Sequence, residues 1–137
     1  MLSKKTKYGI KALTYLARQE QNAPVSIATI SQVENISLKF LESILLTLRK
    51  GGLLGSKKGK GGGYYLLRDP KNIKMSTVMR VLEGPIAMVP CVSLNYYEKC
   101  NDCPTEVECT VHLLMLRVRD SNLKIYEETS LADLVDY

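Results

Sequence analysis

Residues 36–67, ISLKFLESILLTLRKGGLLGSKKGKGGGYYLL, decide the fold. Ser37 is suited to cap a helix over residues 38–50, because its side-chain oxygen can accept a hydrogen bond from the free N–H groups of the first turn. The helix has one apolar face, formed by Leu41, Ile44, Leu45 and Leu48. Gly51-Gly52 ends it, since glycine readily adopts the left-handed conformation of a helix C-terminus. The first turns leave four polar residues open to solvent, namely Ser37, Lys39, Glu42 and Ser43.

The residues after this helix predict a β-hairpin. Leu53-Leu54 and Tyr64-Tyr65-Leu66-Leu67 are two short apolar runs typical of strands, so residues 57–63, KKGKGGG, form the predicted tip. Glycine lets a backbone approach a phosphate closely, and lysine attracts the phosphate charge. The hairpin is therefore a predicted contact with the backbone or minor groove of DNA, made by Lys57, Lys58, Lys60, Gly61, Gly62, Gly63 and Tyr64.

Two nucleotide-binding alternatives for these glycines fail on spacing. A P-loop needs G-x-x-x-x-G-K-[ST], but Gly55 to Gly59 is one residue short and Gly61 stands where a hydroxyl is required. A dinucleotide loop needs G-x-G-x-x-G, and counting from Gly59 places Tyr64 at the last position. A merely flexible loop stays open as an alternative, although three lysines in a purely structural hairpin would repel one another.

Two earlier helices complete the predicted winged helix-turn-helix. Residues 4–19 carry apolar side chains at helical spacing, namely Tyr8, Ala12, Leu13, Tyr15 and Leu16. Ser26 can cap a second helix through about Val33, and the tight turn at 35–37 then leads into the third helix. A third helix placed in this way is the one that enters the major groove in helix-turn-helix proteins. The fold class that follows is mainly α with a small β-hairpin, a winged helix-turn-helix region followed by a long C-terminal helix.

The net charge of +5 is distributed unevenly along the 137 residues. Residues 1–75 hold 14 Lys and Arg against 4 Asp and Glu, whereas residues 76–137 hold 5 against 10. The basic half is where a polyanion would bind.

We expect neither a membrane span nor a signal peptide, because lysines interrupt the apolar residues from the start, and we expect a cytoplasmic protein. The sequence offers no nucleophile-base pair or paired catalytic carboxylates, so we do not expect an enzyme.

The acidic half predicts two further helices and a dimer. Ser76 is a candidate cap for a short helix through Leu82. Pro104 and the capping box of Thr105 and Glu108 predict a helix to about residue 126, roughly 33 Å long at about 1.5 Å per residue. Its apolar residues cover more than one face, so we expect a second copy of the chain to cover one of them; packing within one chain is the alternative. Another capped turn is predicted at residues 129–134.

The predicted regions are a winged-helix region (1–83), a cysteine-containing sensor loop (84–103) and a dimerisation helix with its C-terminal turn (104–137).

All four cysteines lie in one polar segment, at positions 91, 100, 103 and 109, followed by the only histidine, His112. Thiolates are preferred ligands of zinc and of iron-sulfur clusters, so the predicted metal ligands are Cys91, Cys100, Cys103 and Cys109, with His112 as a further candidate. A zinc site usually has two close ligand pairs, and only Cys100-x2-Cys103 is a close pair here. Thiol-disulfide sensing, and ordinary thiols with no role, are the alternatives.

The segments KTKYGIKALTYLA (5–17), ISLKFLESILLTLRKGGLL (36–54), GKGGGYYLLRDP (59–70) and ADL (132–134) give the chain a family likeness. It resembles the IscR/NsrR/CymR-type family of winged-helix transcription regulators over nearly its whole length. The resemblance implies a cytoplasmic homodimer that binds a double-stranded DNA operator, and we expect it to be a repressor. It places Glu42 where a carboxylate helps select among operators, Lys58 where relatives direct an arginine into the minor groove, and Lys60 where many members have proline.

The resemblance also implies a [2Fe-2S] or [4Fe-4S] cluster in the connecting loop, held by cysteines spaced C-x5-C-x5-C or nearly so. Two alignments are open. Cys91 and Cys103 match the outer pair if Tyr97 takes the place of the middle cysteine, or Cys103 and Cys109 match the last pair with His112 as the nearby fourth ligand. Because some members of the family sense without a metal, the resemblance also allows a regulator that responds to thiol oxidation, a small molecule or a protein partner.

Overall fold

The computed structural model describes residues 1–103 and 105–137 and contains, in that part of the chain, six α-helices and one two-stranded antiparallel sheet. The elements follow one another as α1 (Lys4–Arg18), α2 (Ile27–Glu34), α3 (Leu38–Lys50), β1 (Leu54–Lys57), β2 (Gly63–Leu66), α4 (Met75–Leu82), α5 (Thr110–Glu128) and α6 (Leu131–Val135). Short 3-10 helices occur at Pro70–Asn72 and Pro90–Val92. The predicted winged helix-turn-helix is confirmed.

Serine caps fix the starts of the first three helices. The hydroxyl oxygens of Ser3, Ser26 and Ser37 accept hydrogen bonds from backbone N–H groups three residues later, at 3.1, 3.2 and 3.3 Å. The predicted caps at Ser26 and Ser37 are therefore confirmed. The chain leaves α3 through Gly52, whose φ of +79° is the left-handed conformation expected at the Gly51-Gly52 pair.

The core lies where α1, α2 and α3 meet the hairpin and α4. The predicted apolar face of α3 is fully buried, and Leu13 of α1 and Ile30 of α2 pack into the same cluster. Ile36 and Leu41 are also buried there, in the N′ and N4 positions of a hydrophobic staple that fixes how the chain enters α3. This packing holds one face of α3 against the protein and leaves the other free.

The hairpin is longer than predicted, and its tip is shorter. Leu54 pairs with Leu66 and Lys57 pairs with Gly63, so both ends of the predicted KKGKGGG tip belong to strands. The tip proper is residues 58–62. The sequence did not predict that β1 continues through Gly55-Ser56-Lys57, because this run is not apolar. The strand continues there because Gly55 and Ser56 pair with Tyr65 and Tyr64 of β2.

Ser76 does not cap α4, contrary to the prediction. The helix begins one residue earlier, at Met75, and Ser76 is buried inside it. The N–H of Met75 donates to the Thr129 carbonyl at 2.9 Å, and Leu131 N–H donates to the Ile73 carbonyl at 2.8 Å. A contact from the distant C-terminal segment thus takes the place of a local cap.

The C-terminal turn forms as predicted and packs against α1. Ser130 and Asp133 form a capping box at the start of α6. Leu131 is fully buried in the same core cluster as the helices of the N-terminal half. The last residues of the chain therefore contribute to the core of the winged helix.

The long helix begins later than predicted. Helix α5 starts at Thr110, after an extended Cys109, and its 19 residues span about 28 Å instead of the expected 33 Å. Thr105 and Glu108 precede it and form no capping box; Cys109 Sγ is the group that accepts from the N–H of the first turn. The hydroxyl of Tyr97 donates to Glu106, which ties this segment to the loop instead of to the helix. The predicted first helical residue, Pro104, lies outside the described residues.

Helix α5 packs on α4 and on the 3-10 helix at Pro90–Val92. The Arg119 guanidinium donates to the Val92 carbonyl at 2.8 Å, and Val92 is buried beneath it. Glu127 contacts Lys74 and Arg80 at 3.3 and 3.8 Å, which joins the end of α5 to α4. In the described part of the chain, no helix is both long and apolar enough to cross a membrane.

Candidate functional site

The free face of α3 carries the four polar residues predicted from the sequence. Lys39, Glu42 and Ser43 are exposed, and their side chains form no ion pair or hydrogen bond with other described residues. Ser37 is exposed too, but its hydroxyl oxygen already accepts from Phe40 N–H at 3.3 Å. Ser37 thus has a structural role as the helix cap, whereas the side chains of the other three have no hydrogen-bonding or ion-pairing role among the described residues.

Leu38 was missed from the sequence, although it lies among these residues. It is the first residue of α3 and 48% exposed, and Leu46, two turns later, is 44% exposed. At about 100° per residue, Leu38, Glu42 and Leu46 fall within one stripe of the helix surface. Ile36 fills the staple position, and Leu38 belongs neither to the buried core cluster nor to the hydrophobic residues packed against it. Its apolar type concealed it, because periodicity assigns leucines to the core.

The hairpin presents lysine charges to solvent at its tip and at the end of β1. Lys57, Lys58 and Lys60 are exposed, and Gly59 and Gly61 face open space. None of the three lysines forms an ion pair with any residue in the ranges 1–103 and 105–137. Their charges are therefore not neutralised by acidic groups in this part of the protein, which suits them to attract an external anion.

Gly63 and Tyr64 fix the base of the hairpin to the segment before α2. Tyr64 and Val25 exchange backbone hydrogen bonds of 2.8 and 2.9 Å. A Cβ atom at Gly63 would lie 2.1 Å from the Val25 carbonyl oxygen, and the residue has a φ of +151°. Only glycine therefore permits this bridge, so the structure requires glycine at position 63 whether or not Gly63 contacts DNA.

The cysteines line one groove between the loop and the start of α5. Its volume is about 780 Å³, and the residues that carry candidate ligands in its wall are Cys91, Cys100, Cys103, Cys109 and His112. The loop supplies the first three, and the cap and first turn of α5 supply the other two. The clustering that the sequence shows is thus retained in three dimensions.

Inside the groove the donors form two close pairs. His112 Nδ1 lies 3.2 Å from Cys91 Sγ, and the Cys103 thiol lies near Cys109. The backbone N–H of His112 contacts Cys109 Sγ at 3.5 Å, which brings the pairs next to each other. Burial, together with the nearby Cys109 and Glu106, raises the pKa of the Cys103 thiol.

Cys100 belongs to neither pair. It is exposed, and its thiol donates to Asp102 Oδ1 at 2.6 Å. This hydrogen bond is the main cause that raises the pKa of Cys100 and lowers the pKa of Asp102. The Cys103 N–H donates to the Cys100 carbonyl at 3.3 Å, so the two cysteines close one turn of the chain.

The donor types suit a soft metal, but their arrangement is not that of a formed site. Within residues 1–103 and 105–137, no three Cys, His, Asp or Glu side chains converge on a point where a metal ion could bind. All four cysteines are free thiols. Tyr97, at the middle position of one proposed cysteine register, directs its hydroxyl to Glu106, and that hydrogen bond raises the pKa of Tyr97. The predicted four-cysteine ligand set is therefore not assembled in this conformation.

Helix α5 carries an apolar stripe that the other described residues of the chain leave exposed. No residue of this helix is buried. Val111, Leu114 and Ile125 are 54%, 51% and 61% exposed. At about 100° per residue they fall within roughly 60° of one another on the helix surface. Leu113 is also exposed, on another face of the helix.

These features define the class of protein. A capped helix with a free polar face, followed by a lysine-rich hairpin anchored at its base, is the arrangement of a winged helix-turn-helix protein. The comparisons with known proteins identify the family. A sequence profile described as "Rrf2: Iron-dependent Transcriptional regulator" matches residues 2–137. The chain belongs to the Rrf2 family of transcriptional regulators.

Relatives and solved structures agree with this assignment. An rrf2-like HTH-type transcriptional regulator of Rhodobacter capsulatus is 36% identical over 138 residues, covering 98% of this chain and 92% of the relative. The structure of CymR, the global cysteine regulator of Bacillus subtilis, is similar with a TM-score of 0.81 and 34% identity, covering 100% of this chain and 97% of that one. The structure of T. potens IscR is similar with a TM-score of 0.76 and 29% identity, covering 99% and 86%.

Proposed function

We propose that this protein is a sequence-specific DNA-binding regulator that acts as a homodimer in the cytoplasm, with a repressor as the expected type. Helix α3 enters the major groove and the hairpin tip binds the DNA backbone or minor groove. The observation that carries the proposal is the free face of α3, where three polar side chains have no partner in the described chain. The family of transcriptional regulators to which the chain belongs supports it.

The side chains of α3 have distinct chemistry toward base edges. A carboxylate such as Glu42 accepts a hydrogen bond from the N4 amino group of cytosine, and Lys39 can donate to guanine O6 and N7. Ser43 can pair with several bases. Leu38 can make an apolar contact with the methyl group of thymine. Ser37 contributes through the helix start that it caps.

The hairpin supplies attraction and position. Lys57, Lys58 and Lys60 can each neutralise a phosphate and release bound counterions. Because Gly61 and Gly62 carry no side chains, the backbone of the tip can approach the DNA closely. The bridge between Tyr64 and Val25 holds the base of the hairpin, so the tip has a defined position relative to the start of α2.

Dimerisation through α5 follows from its uncovered stripe. A long helix whose apolar side chains are half exposed is best stabilised by a second copy related by two-fold symmetry. A symmetric dimer presents two copies of α3 and two hairpins, which suits an operator with two half-sites. Packing of another protein on the stripe is the competing explanation.

The cysteine groove is the proposed sensor. It joins the winged helix to α5, so a change in the loop can alter the spacing of the two DNA-binding surfaces. We infer that it responds to iron-sulfur, redox or nitric-oxide status, with Cys91, Cys103, Cys109 and His112 as candidate ligands and Cys100 outside their two pairs. The donor chemistry and the iron dependence in the family description support this inference. A regulator without metal that responds to thiol oxidation, a small molecule or a protein partner is the second candidate, because no three donors converge in the described chain.

DNA binding is tested by selection from a random duplex library with the full-length protein. We expect enrichment of a two-fold symmetric sequence. Glu42→Ala is expected to relax the base choice at one position of each half-site, at a cost of about 1–3 kcal/mol against the preferred base. Lys58→Ala is expected to weaken binding to all sequences alike. If the protein enriches no sequence and both variants behave as wild type, the proposed DNA-reading surface is wrong.

The cofactor is tested separately, on protein purified without oxygen. We expect visible absorption with stoichiometric iron and sulfide, lost when Cys91, Cys103 or Cys109 is changed singly to Ala and retained in Cys100→Ala. A colourless protein with no iron, sulfide or zinc would leave the metal-free candidate. Retained colour in all four variants would exclude the cysteines as ligands.

A further inference from the structure

We propose that Cys100 and Cys103 form a reversible disulfide, so that the turn joining them is a redox modification site. The biological meaning of this disulfide rests on the proposed sensing function of the cysteine groove. Its formation needs no DNA, so the disulfide and the sensing function can be tested, and can fail, separately. It assigns a role to the one cysteine that lies outside both donor pairs.

The backbone already holds the two residues at a suitable separation. The hydrogen bond of 3.3 Å from Cys103 N–H to the Cys100 carbonyl closes a four-residue turn over Asn101 and Asp102. Such turns bring their end Cα atoms within about 7 Å of each other. A disulfide joins Cα atoms about 4.4–6.8 Å apart, so little backbone movement is needed.

The surroundings favour Cys100 over Cys109 as the partner of Cys103. Cys109 Sγ accepts from the His112 N–H at 3.5 Å and serves as the side-chain cap of α5. A disulfide at Cys109 would disturb that helix start. Cys100 is exposed to solvent, and its sulfur is hydrogen bonded only to the exposed side chain of Asp102 among the described residues. Cys100 is therefore open to an oxidant in solution, where its thiolate fraction reacts, and its sulfur can turn toward Cys103 once the hydrogen bond to Asp102 breaks.

A peroxide supplies the oxidising equivalents. The Cys100 sulfur attacks one peroxide oxygen, the O–O bond breaks, and Cys100 becomes a sulfenic acid while one water forms. The Cys103 sulfur then attacks the Cys100 sulfur, the S–S bond forms, the S–O bond breaks, and a second water leaves. Two thiols lose two electrons and two protons, and the peroxide is reduced to two waters. In the product the Cys103 sulfur is bonded to the Cys100 sulfur, so it is no longer a free thiol next to Cys109.

The test uses the reduced, metal-free, full-length protein treated with equimolar hydrogen peroxide, followed by alkylation of the remaining thiols and mass spectrometry. The sequence CNDCPTEVEC allows each linkage to be mapped. Cleavage before Asp102 separates Cys100 from Cys103, and cleavage after Glu106 or Glu108 separates Cys103 from Cys109. We expect Cys100 and Cys103 to remain joined after the first cleavage, with Cys91 and Cys109 alkylated. A linkage between Cys103 and Cys109 with Cys100 alkylated, or no linkage at all, would overturn the proposal.

Two variants provide the matched comparison. Cys100→Ser is expected to lose the linked peptide, and because Cys100 is exposed the fold should be unchanged, which circular dichroism checks. Cys91→Ser removes a groove cysteine outside the turn and is expected to form the linkage as wild type does. Equal loss of two thiols in Cys100→Ser and wild type would also overturn the assignment, since Cys100 would then not be needed.

Discussion

The winged-helix region and the segment that follows it differ in how they are buried. The core cluster draws its fully buried residues from positions 12–82 and from Leu131. The cysteine loop contributes Val92 and Ser93 as buried residues, and α5 contributes none. The first region has its own buried core within one chain, whereas the second has few buried residues and carries exposed apolar side chains and free thiols. The second region therefore leaves apolar surface and thiols available to a second copy, a ligand or a covalent bond.

The largest effect is expected from Leu114→Glu, which tests whether a second copy completes α5. Leu114 is 51% exposed in the single chain. Truncation of a central interface residue costs about 2 kcal/mol or more, so we expect the dimer to dissociate roughly 30-fold more readily. Sedimentation at several protein concentrations measures the change, and circular dichroism checks that the chain still folds.

Lys124→Glu is the matched control for this variant. Lys124 is exposed on α5, away from the stripe of Val111, Leu114 and Ile125. We expect its dimer to be as stable as that of wild type. Equal dissociation constants for wild type and Leu114→Glu would show that α5 is not the interface, and the comparison between a complete and an incomplete region would have to be revised.

A second, large effect is expected in the other region, from changing Lys57, Lys58 and Lys60 together to Ala. Each phosphate contact contributes about 0.9 to the slope of log K against log salt concentration. The slope should therefore become shallower by about 2.7 for each hairpin if all three lysines bind phosphates. Fluorescence anisotropy of a labelled duplex at several salt concentrations measures it. Lys4, Lys71 and Lys124 changed together to Ala carry the same loss of charge, and an equal change of slope in both triple variants would mean that net charge, not the hairpin, drives binding.

A smaller effect should reveal whether Leu38 reads thymine. Burying one methyl group is worth about 0.8 kcal/mol, which corresponds to roughly a fourfold change in affinity. Replacing thymine by uracil in the selected duplex removes that methyl group. We expect one position of each half-site to lose about fourfold in affinity with wild type and to show no difference with Leu38→Ala. Leu46→Ala, equally exposed on the same helix, should keep the sensitivity to uracil; its loss there instead would move the contact to Leu46.

The two regions also differ in how far the sequence predicted them. Ser26 and Ser37 act on their own first turns, so the starts of α2 and α3 follow from a few neighbouring residues. The start of α4 depends on the carbonyl of Thr129, far away in sequence, and no local signal near Ser76 could reveal it. At α5 the capping-box pattern of Thr105 and Glu108 predicted the wrong start. Glu106 is held by a hydrogen bond from Tyr97, and the helix begins only after Cys109, whose sulfur caps its first turn.

The candidate sites follow the same division. The polar residues of α3 were identifiable because a helix with one apolar face must expose the other. Leu38 was not, because its residue type gives the opposite signal. The cysteines were identified as a cluster, but their pairing was not, since it depends on how the loop folds against α5 and brings His112 to Cys91.

The smallest effect is expected where the two regions join, at Glu83. The hydroxyls of Thr6 and Ser3 donate to the Glu83 carboxylate, and these hydrogen bonds lower the pKa of Glu83 below its ordinary value of 4.5. The bonds connect the start of α1 to the end of α4, directly before the cysteine loop. Because the pKa is lower in the folded protein, the carboxylate stabilises the fold above about pH 4.5, and this contribution is lost as the pH falls through the folded pKa.

Glu83→Gln isolates that contribution. We expect its urea midpoint to lie below that of wild type at pH 7, and the gap to close as both are titrated below about pH 4.5. Glu128→Gln removes an exposed carboxylate at the end of α5 and should follow wild type throughout. A gap that stays constant from pH 7 to pH 3 would mean that Glu83 acts through packing and not through its charge. In that case the hydrogen bonds of Ser3 and Thr6 to Glu83 would add no pH-dependent stability, and Ser3 would act only as the cap of α1. The junction between the winged-helix region and the cysteine loop would then not depend on a titrating group.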